Sequence, residues 1–223
     1  MASETWFQRL RRWGVDDLLA AYGGLKLIPV SDGPVKVSGL LAFKASALNR
    51  GTISDEYGVE IAVPDDFPRS LPAVRETGGR IPKSFHTNPD GTLCLGSPTR
   101  LRLFLSGGPS LGRFVTKCVV PYLYGHAYFE KHGMMPFSEL RHGESGILQD
   151  LASIYGAPSA AAVVGFVRLT ALSKQVANKA PCPCGSGRRL GRCHSRRVNY
   201  YRRRLGRGWF RMLLRELHRH GAV

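Results

Sequence analysis

The hydrophobic period changes once along this chain, and that change limits the possible folds more than any other feature. Between Val35 and Val63 the apolar residues alternate, first as Val35, Val37, Leu41 and Phe43, then as Tyr57, Val59, Ile61 and Val63. Alternation of this kind places one face of a strand in a core. From Leu111 onward the spacing becomes three and four: Leu111, Phe114, Val115, Cys118, Val119, Tyr122 and Phe129. That is the period of a helix. Two more helical stretches follow, one marked by Ile147, Leu148, Leu151 and Ile154, the other by "PSAAAVVGFVRLTALSKQVAN". Strands followed by helices predict an α+β fold.

Local signals fill in the order. Trp6, Leu10 and Trp13 predict an N-terminal helix, Asp16 is expected to cap a second one, and Gly23-Gly24 stops it. "ISDEYG" can form a hairpin turn ahead of the second alternating run. "PDDFPRSLP" holds three prolines that remove ladder donors, so it reads as a fixed connector. "AVRETGG" is a short last strand, giving a meander of about three or four strands in all. Pro121 is expected to kink or split the first long helix, and Gly133 to end it.

Charge is distributed unevenly. Residues 1–150 carry 17 Lys and Arg against 15 Asp and Glu, whereas residues 151–223 carry 15 against one. The excess marks the C-terminal third for an anionic partner, whether nucleic acid, acidic protein or membrane surface, or for a solvated face. No apolar run reaches the ~18–20 residues needed to cross a membrane, and the charged start does not read as a signal peptide. The expectation is a soluble, cytoplasmic protein with no transmembrane segment. Five cysteines at uneven spacing do not form a disulfide framework.

The first chemically notable segment is "FHTNPDGTLCLGSP", from Phe85 to Pro98. Asn88, Pro89, Asp90 and Gly91 carry turn chemistry, which returns Asn88 toward Cys94. A nucleophilic thiolate at Cys94, an Asn88 amide donating to an oxyanion, and His86 as loop orienter or base would make a transfer site. A cysteine between Leu93 and Leu95 equally fits buried packing. Cys118 lies on the helical stripe and is assigned to the core. His126, His132 and His142 are scattered, as surface or satisfied core groups.

On these residues, the stretch from about 35 to 155 resembles the ubiquitin-conjugating enzyme fold, especially its divergent bacterial members. An N-terminal helix, a strand meander and a proline-rich connector precede "HTN", a "GTLCL" cysteine and then helices. "PFSELRHGESGILQDL" also looks like the helical tail of the bacterial members. Familiar members carry His-Pro-Asn; here Thr87 replaces the proline, and Asn88 precedes Cys94 by six residues rather than eight. The resemblance implies that Cys94 carries a ubiquitin-like protein, or a target's C-terminus, as a thioester. It also implies that Asn88 stabilises the oxyanion and His86 is structural. It further implies an adenylating, activating-enzyme partner and an amine acceptor, with a nucleotidyltransferase among the targets in antiphage defence. A relay of an activated acyl group needs no full catalytic triad, whereas a cysteine hydrolase must also activate water.

A second motif lies near the end. "APCPCGSGRRLGRCHS" brings Cys182, Cys184, Cys193 and His194 into one short segment, a Cys₃His set suited to tetrahedral zinc. Glycines at 185, 187 and 191 permit the turns that bring four ligands together. The segment resembles the SEC-C motif, Cys-x-Cys-Gly-Ser-Gly followed by a basic spacer and Cys-His. That family is zinc-binding and serves as a docking module at the end of the preprotein translocase ATPase. Four protein ligands leave no open position, so the expected Zn²⁺ is structural, and metal binding is expected to fold a unit that otherwise lacks a core.

Beyond it, Val198, Tyr201, Leu205, Trp209, Met212 and Leu213 form a helical stripe among arginines. The stripe fits a helix packed on its own domain, a nucleic-acid surface or a membrane-surface helix. The boundaries expected are a conjugating domain over 1–157, a connecting helix over 158–180 and a zinc module with a basic helix over 181–223. Beside the transferase reading stand two others: a non-catalytic scaffold of the same fold whose tail docks a partner, and a nucleic-acid adaptor.

Overall fold

A computed structural model describes residues 6–28, 34–137 and 143–219. The chain divides into two compact units, Met1–Glu139 and Leu140–Val223.

In the first unit, α1 (Trp6–Trp13) and α2 (Val15–Ala21) precede a four-stranded antiparallel sheet in the order β1-β2-β3-β4. Its strands are β1 (Leu25–Ile28), β2 (Val35–Ala47), β3 (Gly51–Val63) and β4 (Ala73–Glu76). The alternating residues expected in β2 and β3 are all buried. The hairpin turn lies earlier than expected. β3 runs straight through "ISDEYG", pairing from Ala47↔Gly51 to Val35↔Val63, and the chain reverses at Leu48–Arg50. Asn49 and Gly51 both take positive φ there, a conformation open to Asn and Gly but poorly available to Ile, Glu or Tyr. Ile53, also buried, extends the inward face back toward that turn.

Gly39 sits at φ 142° opposite Leu25 of β1, and a Cβ there would lie 2.1 Å from the Gly24 carbonyl oxygen. Only glycine lets β1 approach so closely. The α2 cap also differs from expectation: Gly14 takes the N-cap position, and Asp16 lies inside the first turn, where its charge complements the helix dipole.

After the connector come α3 (Pro98–Leu105), α4 (Leu111–Phe114), a π-helical turn over Val115–Val119, and α5 (Val120–His132). Pro121 neither splits nor ends the helical path; it occupies the first turn of α5, directly after the π turn, where its missing N–H costs least. The wider turn advances the buried stripe. Leu123, Tyr124, Ala127 and Tyr128 pack into the core, while Phe129 is 41% exposed and Tyr122 turns to the cysteine loop. α5 packs on β2 and β3.

The second unit contains α6 (Gly143–Tyr155), α7 (Ala160–Ala171), α8 (Lys174–Lys179) and α9 (Ser195–Arg219). α6 belongs here and not with the sheet, so the chain divides at 139/140, ahead of the boundary expected at 157. The reason is a helical core of its own. The Tyr155 ring stacks on Phe166 at 5.2 Å and meets Tyr201 edge-on. The segment expected as a connecting helix is thus a central core element, with Val163, Phe166 and Val167 fully buried. Residues 181–223, expected to lack a core without metal, share this one through Tyr201 of α9.

Backbone carbonyls at the ends of α6 and α7 find partners on α9. Tyr201 donates to the Ile154 carbonyl at 2.9 Å and Arg197 to that of Tyr155 at 2.5 Å. Arg202 donates to the carbonyls of Leu169 at 2.6 Å and Thr170 at 3.2 Å. These are the terminal acceptors a helix cannot satisfy internally.

Candidate functional site

The Cys94 loop is built by a short hairpin. Thr87 and Leu93 form an antiparallel bridge. The Asn88 amide donates to the Thr92 carbonyl at 2.8 Å, and the Cys94 amide donates to the His86 carbonyl at 2.7 Å. His86 therefore faces Cys94, and Asn88 faces Thr92. Leu93 anchors the hairpin to the sheet by donating to the Val74 carbonyl of β4 at 2.7 Å. Gly91, at φ 81°, closes the turn.

α5 holds the other side of the loop. The Tyr122 hydroxyl lies 3.0 Å from the Phe85 carbonyl and 3.3 Å from that of His86, and can donate to either. The His86 carbonyl thus sits between the Cys94 amide and the Tyr122 hydroxyl, and His86 itself adopts a positive φ of 39°. A non-glycine residue takes that conformation only where its surroundings hold it. Burial pushes the Tyr122 hydroxyl well above the usual phenol range, so it remains a donor.

Cys94 is half-buried, neither sealed in the core nor fully exposed. The Asn88 side-chain amide donates to Thr92 Oγ1 at 2.9 Å, and Thr92 Oγ1 donates in turn to Asp90 Oδ1 at 2.6 Å. The relay fixes the amide six residues ahead of the sulfur. Hydrogen bonds from Thr92 hold the Asp90 carboxyl below its ordinary range, and Arg75 donates to the Asp90 carbonyl. Cys118 is buried as expected, with its thiol pushed up to about 11 by desolvation.

Below this loop lies a polar cluster that the sequence did not reveal. The Tyr57 hydroxyl is 2.9 Å from His126 Nδ1. Arg80 binds Asp55 at 2.8 Å and Glu130 at 2.6 Å, and its guanidinium stacks 4.2 Å from the Tyr57 ring centroid. Phe85 meets His126 edge-on at 4.7 Å and His86 at 5.1 Å, joining the cluster to the loop. His126 is buried, His132 is exposed, and His142 lies outside the described residues. The i, i+4 spacing of His126 and Glu130 was the available signal, but their partners come from β3 and the loop after β4.

In the second unit, "CPCGSGRR" forms another small hairpin. Pro181 bridges Arg189, and the Cys182 amide donates to the Arg188 carbonyl at 2.8 Å. Gly185 and Gly187 supply positive φ at the tip. A 3₁₀ turn over Leu190–Arg192 then delivers Cys193 and His194 to the same place. The four donor atoms of Cys182, Cys184, Cys193 and His194 all lie within 4.8 Å of one another. Cys182 Sγ and Cys193 Sγ are each 3.2 Å from His194 Nδ1, and Cys184 Sγ is 3.6 Å from Cys193 Sγ. Such separations fit donors converging on one tetrahedral ion with bonds of about 2.0–2.3 Å.

Residues 179–196 match the SEC-C motif. Comparison with curated proteins and with solved structures returns no match. The SEC-C segment is of a zinc-binding type, and its four Cys and His side chains sit close enough together to hold a metal ion. Surrounding groups act on its thiols in opposite directions. Hydrogen bonds from Ser186 bring the Cys184 thiol down to about 6, while burial pushes Cys182 up to about 11. Arg188 donates to Cys193 Sγ at 3.5 Å. His194 Nδ1 faces the sulfurs while its ring meets Phe166 of α7 at 5.2 Å, which ties the site to the helical core. Among the described residues, no single helix is long and apolar enough to cross a membrane.

Proposed function

We propose that the first unit is a ubiquitin-conjugating-like acyl carrier and that Cys94 is its thioester-forming residue. The observation that carries this reading is a half-exposed cysteine on a hairpin fixed from both sides, by Val74 of β4 and by Tyr122 of α5. An ordinary packing cysteine has no need of such fixation. A further support is the element order: helices, a four-stranded meander, a connector, the cysteine loop and then helices.

The chemistry has two acyl transfers. Cys94 thiolate attacks the thioester carbonyl on an activating enzyme; the C–S bond to Cys94 forms, and the enzyme's thiolate leaves. An acceptor amine then attacks the new thioester, Cys94 thiolate leaves, and the amine's proton passes to solvent or a nearby base. Each attack places negative charge on the carbonyl oxygen. The Asn88 amide, oriented by Thr92, is the donor we assign to that oxygen. His86 holds the backbone register opposite Cys94. The carrier is a ubiquitin-like protein or a target's C-terminus, and antiphage defence, with a nucleotidyltransferase among the targets, is the setting we propose.

We assign Zn²⁺ to the SEC-C site, as a structural ion held by Cys182, Cys184, Cys193 and His194. Five free cysteines fit a reducing compartment, and we place the protein in the cytoplasm. A second reading is a catalytically silent scaffold of the same fold whose tail docks a partner; the Asn88 amide already engaged with Thr92 favours it.

The two readings separate by experiment. With an activating enzyme, ATP and a carrier protein, Cys94→Ser should trap a thiol-resistant oxyester, and Cys94→Ala should form none. Asn88→Ala should still charge but discharge to an amine about 10²-fold more slowly, the loss typical of one oxyanion donor. A Cys94→Ser chain that forms no ester, in a reaction where the activating enzyme charges itself, supports the scaffold.

A further inference from the structure

We infer that α9 presents a binding surface for single-stranded nucleic acid. α9 carries nine arginines and no lysine. Two of them, Arg197 and Arg202, hold the carbonyl ends of α6 and α7. The rest that matter point outward. Arg196, Arg203 and Arg204 are exposed before the break at Gly206, and Arg207, Arg211 and Arg215 after it. Arg207, Arg211 and Arg215 recur every four residues along one side of the second segment, roughly 6 Å apart at 1.5 Å rise per residue, and Arg196 and Arg203, two turns apart, share a side of the first. The buried side is different: Val198 and Asn199 in the first segment, Trp209, Phe210, Leu213 and Leu217 in the second. No carboxylate pairs with Arg196, Arg203, Arg207, Arg211 or Arg215 among the described residues. The unit as a whole, Leu140–Val223, holds sixteen Lys and Arg against three Asp and Glu.

Three features select nucleic acid over other anionic partners. The charges are guanidinium groups, whose planar fork suits phosphate oxygens. Tyr200 lies among them, 44% exposed, with the Arg204 guanidinium 5.4 Å from its ring centroid. An exposed aromatic ring flanked by arginine is a platform for an unpaired base, which no acidic peptide requires. A membrane-surface helix needs its apolar face outward, and here the apolar face of α9 is buried. Arginine for phosphate and tyrosine for base together point to a single strand rather than a duplex, whose bases are stacked inside.

The test uses the full zinc-loaded chain and a fluorescein-labelled 20-nucleotide oligo(U), read by anisotropy. Binding should weaken about 100-fold between 50 and 200 mM salt, the slope of about five phosphate contacts on a single strand. Replacing Arg203, Arg207 and Arg211 together by Gln should flatten that dependence by about two in log–log slope. Tyr200→Ala should weaken binding about tenfold and Tyr200→Phe should not. Zinc content and thermal melting of each variant report whether it is folded, and these side chains are solvent-facing. Cys94→Ala should bind like the parent, which separates this surface from the transfer chemistry. The proposal is overturned by salt-insensitive binding, by equal affinity for Tyr200→Ala and parent, by tighter binding to a duplex of the same length, or by equal binding to polyglutamate or to phosphatidylserine vesicles.

Discussion

His126 shows how one buried residue ties stability to pH. It is 2% exposed, touches Tyr57 Oη, and is faced by Phe85, Glu130 and Arg80, with Asp55 and Glu76 nearby. Burial holds its pKa below the ordinary 6.5, so the neutral ring is favoured in the fold. The unfolded chain then binds a proton that the folded chain resists. Stability from this residue is complete above pH 6.5 and declines as pH falls from there toward the lower folded value. Thermal melting of the first unit should drop between pH 7 and pH 5, and His126→Gln should remove that part of the drop. An unchanged slope in the variant assigns the pH dependence to other groups. Tyr122 makes a different contribution. Tyr122→Phe removes one hydroxyl from the Phe85 and His86 carbonyls, at a cost of about 1 kcal/mol in denaturant unfolding. It should also slow charging of Cys94 without abolishing it, because the loop keeps its anchor to β4. None of this was legible from residue spacing. His126 and Tyr122 read as a scattered histidine and a core position because their partners, Tyr57 and the His86 carbonyl, are distant in sequence.

At the scale of elements, period was a good guide wherever the backbone was regular and misled wherever it changed. The inward residues of β2 and β3 follow strict alternation, and the structure buries every one named from it. In α9 the expected stripe holds for Val198, Trp209 and Leu213, but Met212 is 39% exposed and Phe210 is buried. Gly206, at φ 75° and ψ 157°, interrupts the helix between the two halves of that stripe. Residues other than glycine are almost absent from that region. A Cβ at Gly206 would meet nothing within 4 Å, so the cost of substitution is in the backbone alone. Gly206→Ala should destabilise the second unit by about 1–3 kcal/mol in chemical denaturation; a neutral result would mean the two segments can join as one helix. The π turn before Pro121 acts similarly on α5, moving Tyr122 from the core stripe to the cysteine loop. β1 and α3 escaped notice because four and eight residues carry too little period, although Ser97-Pro98 was a start signal.

At the scale of the whole molecule, each unit holds its own core. The Cys and His cluster was legible, since its four members fall within one short segment. The boundary was not, because α6 reads equally well as an appendage of either unit until its partners on α7 and α9 are known. Thermal unfolding should therefore show separate responses. A strong chelator should lower the melting of the second unit and leave that of the first unchanged, and Cys193→Ser should do the same while reducing bound zinc from about one ion per chain. The helical core predicts partial helicity in the metal-free second unit, measurable by circular dichroism; complete loss would mean that metal alone folds it.

The central claim concerns the Cys94 sulfur. Intact-mass analysis of the chain after incubation with an activating enzyme, ATP and its carrier protein, followed by peptide mapping, tests it most directly. The account predicts a single carrier joined through Cys94 and released by reductant. A reaction in which the activating enzyme is charged but Cys94 stays unmodified, or in which the carrier sits on another cysteine, contradicts it.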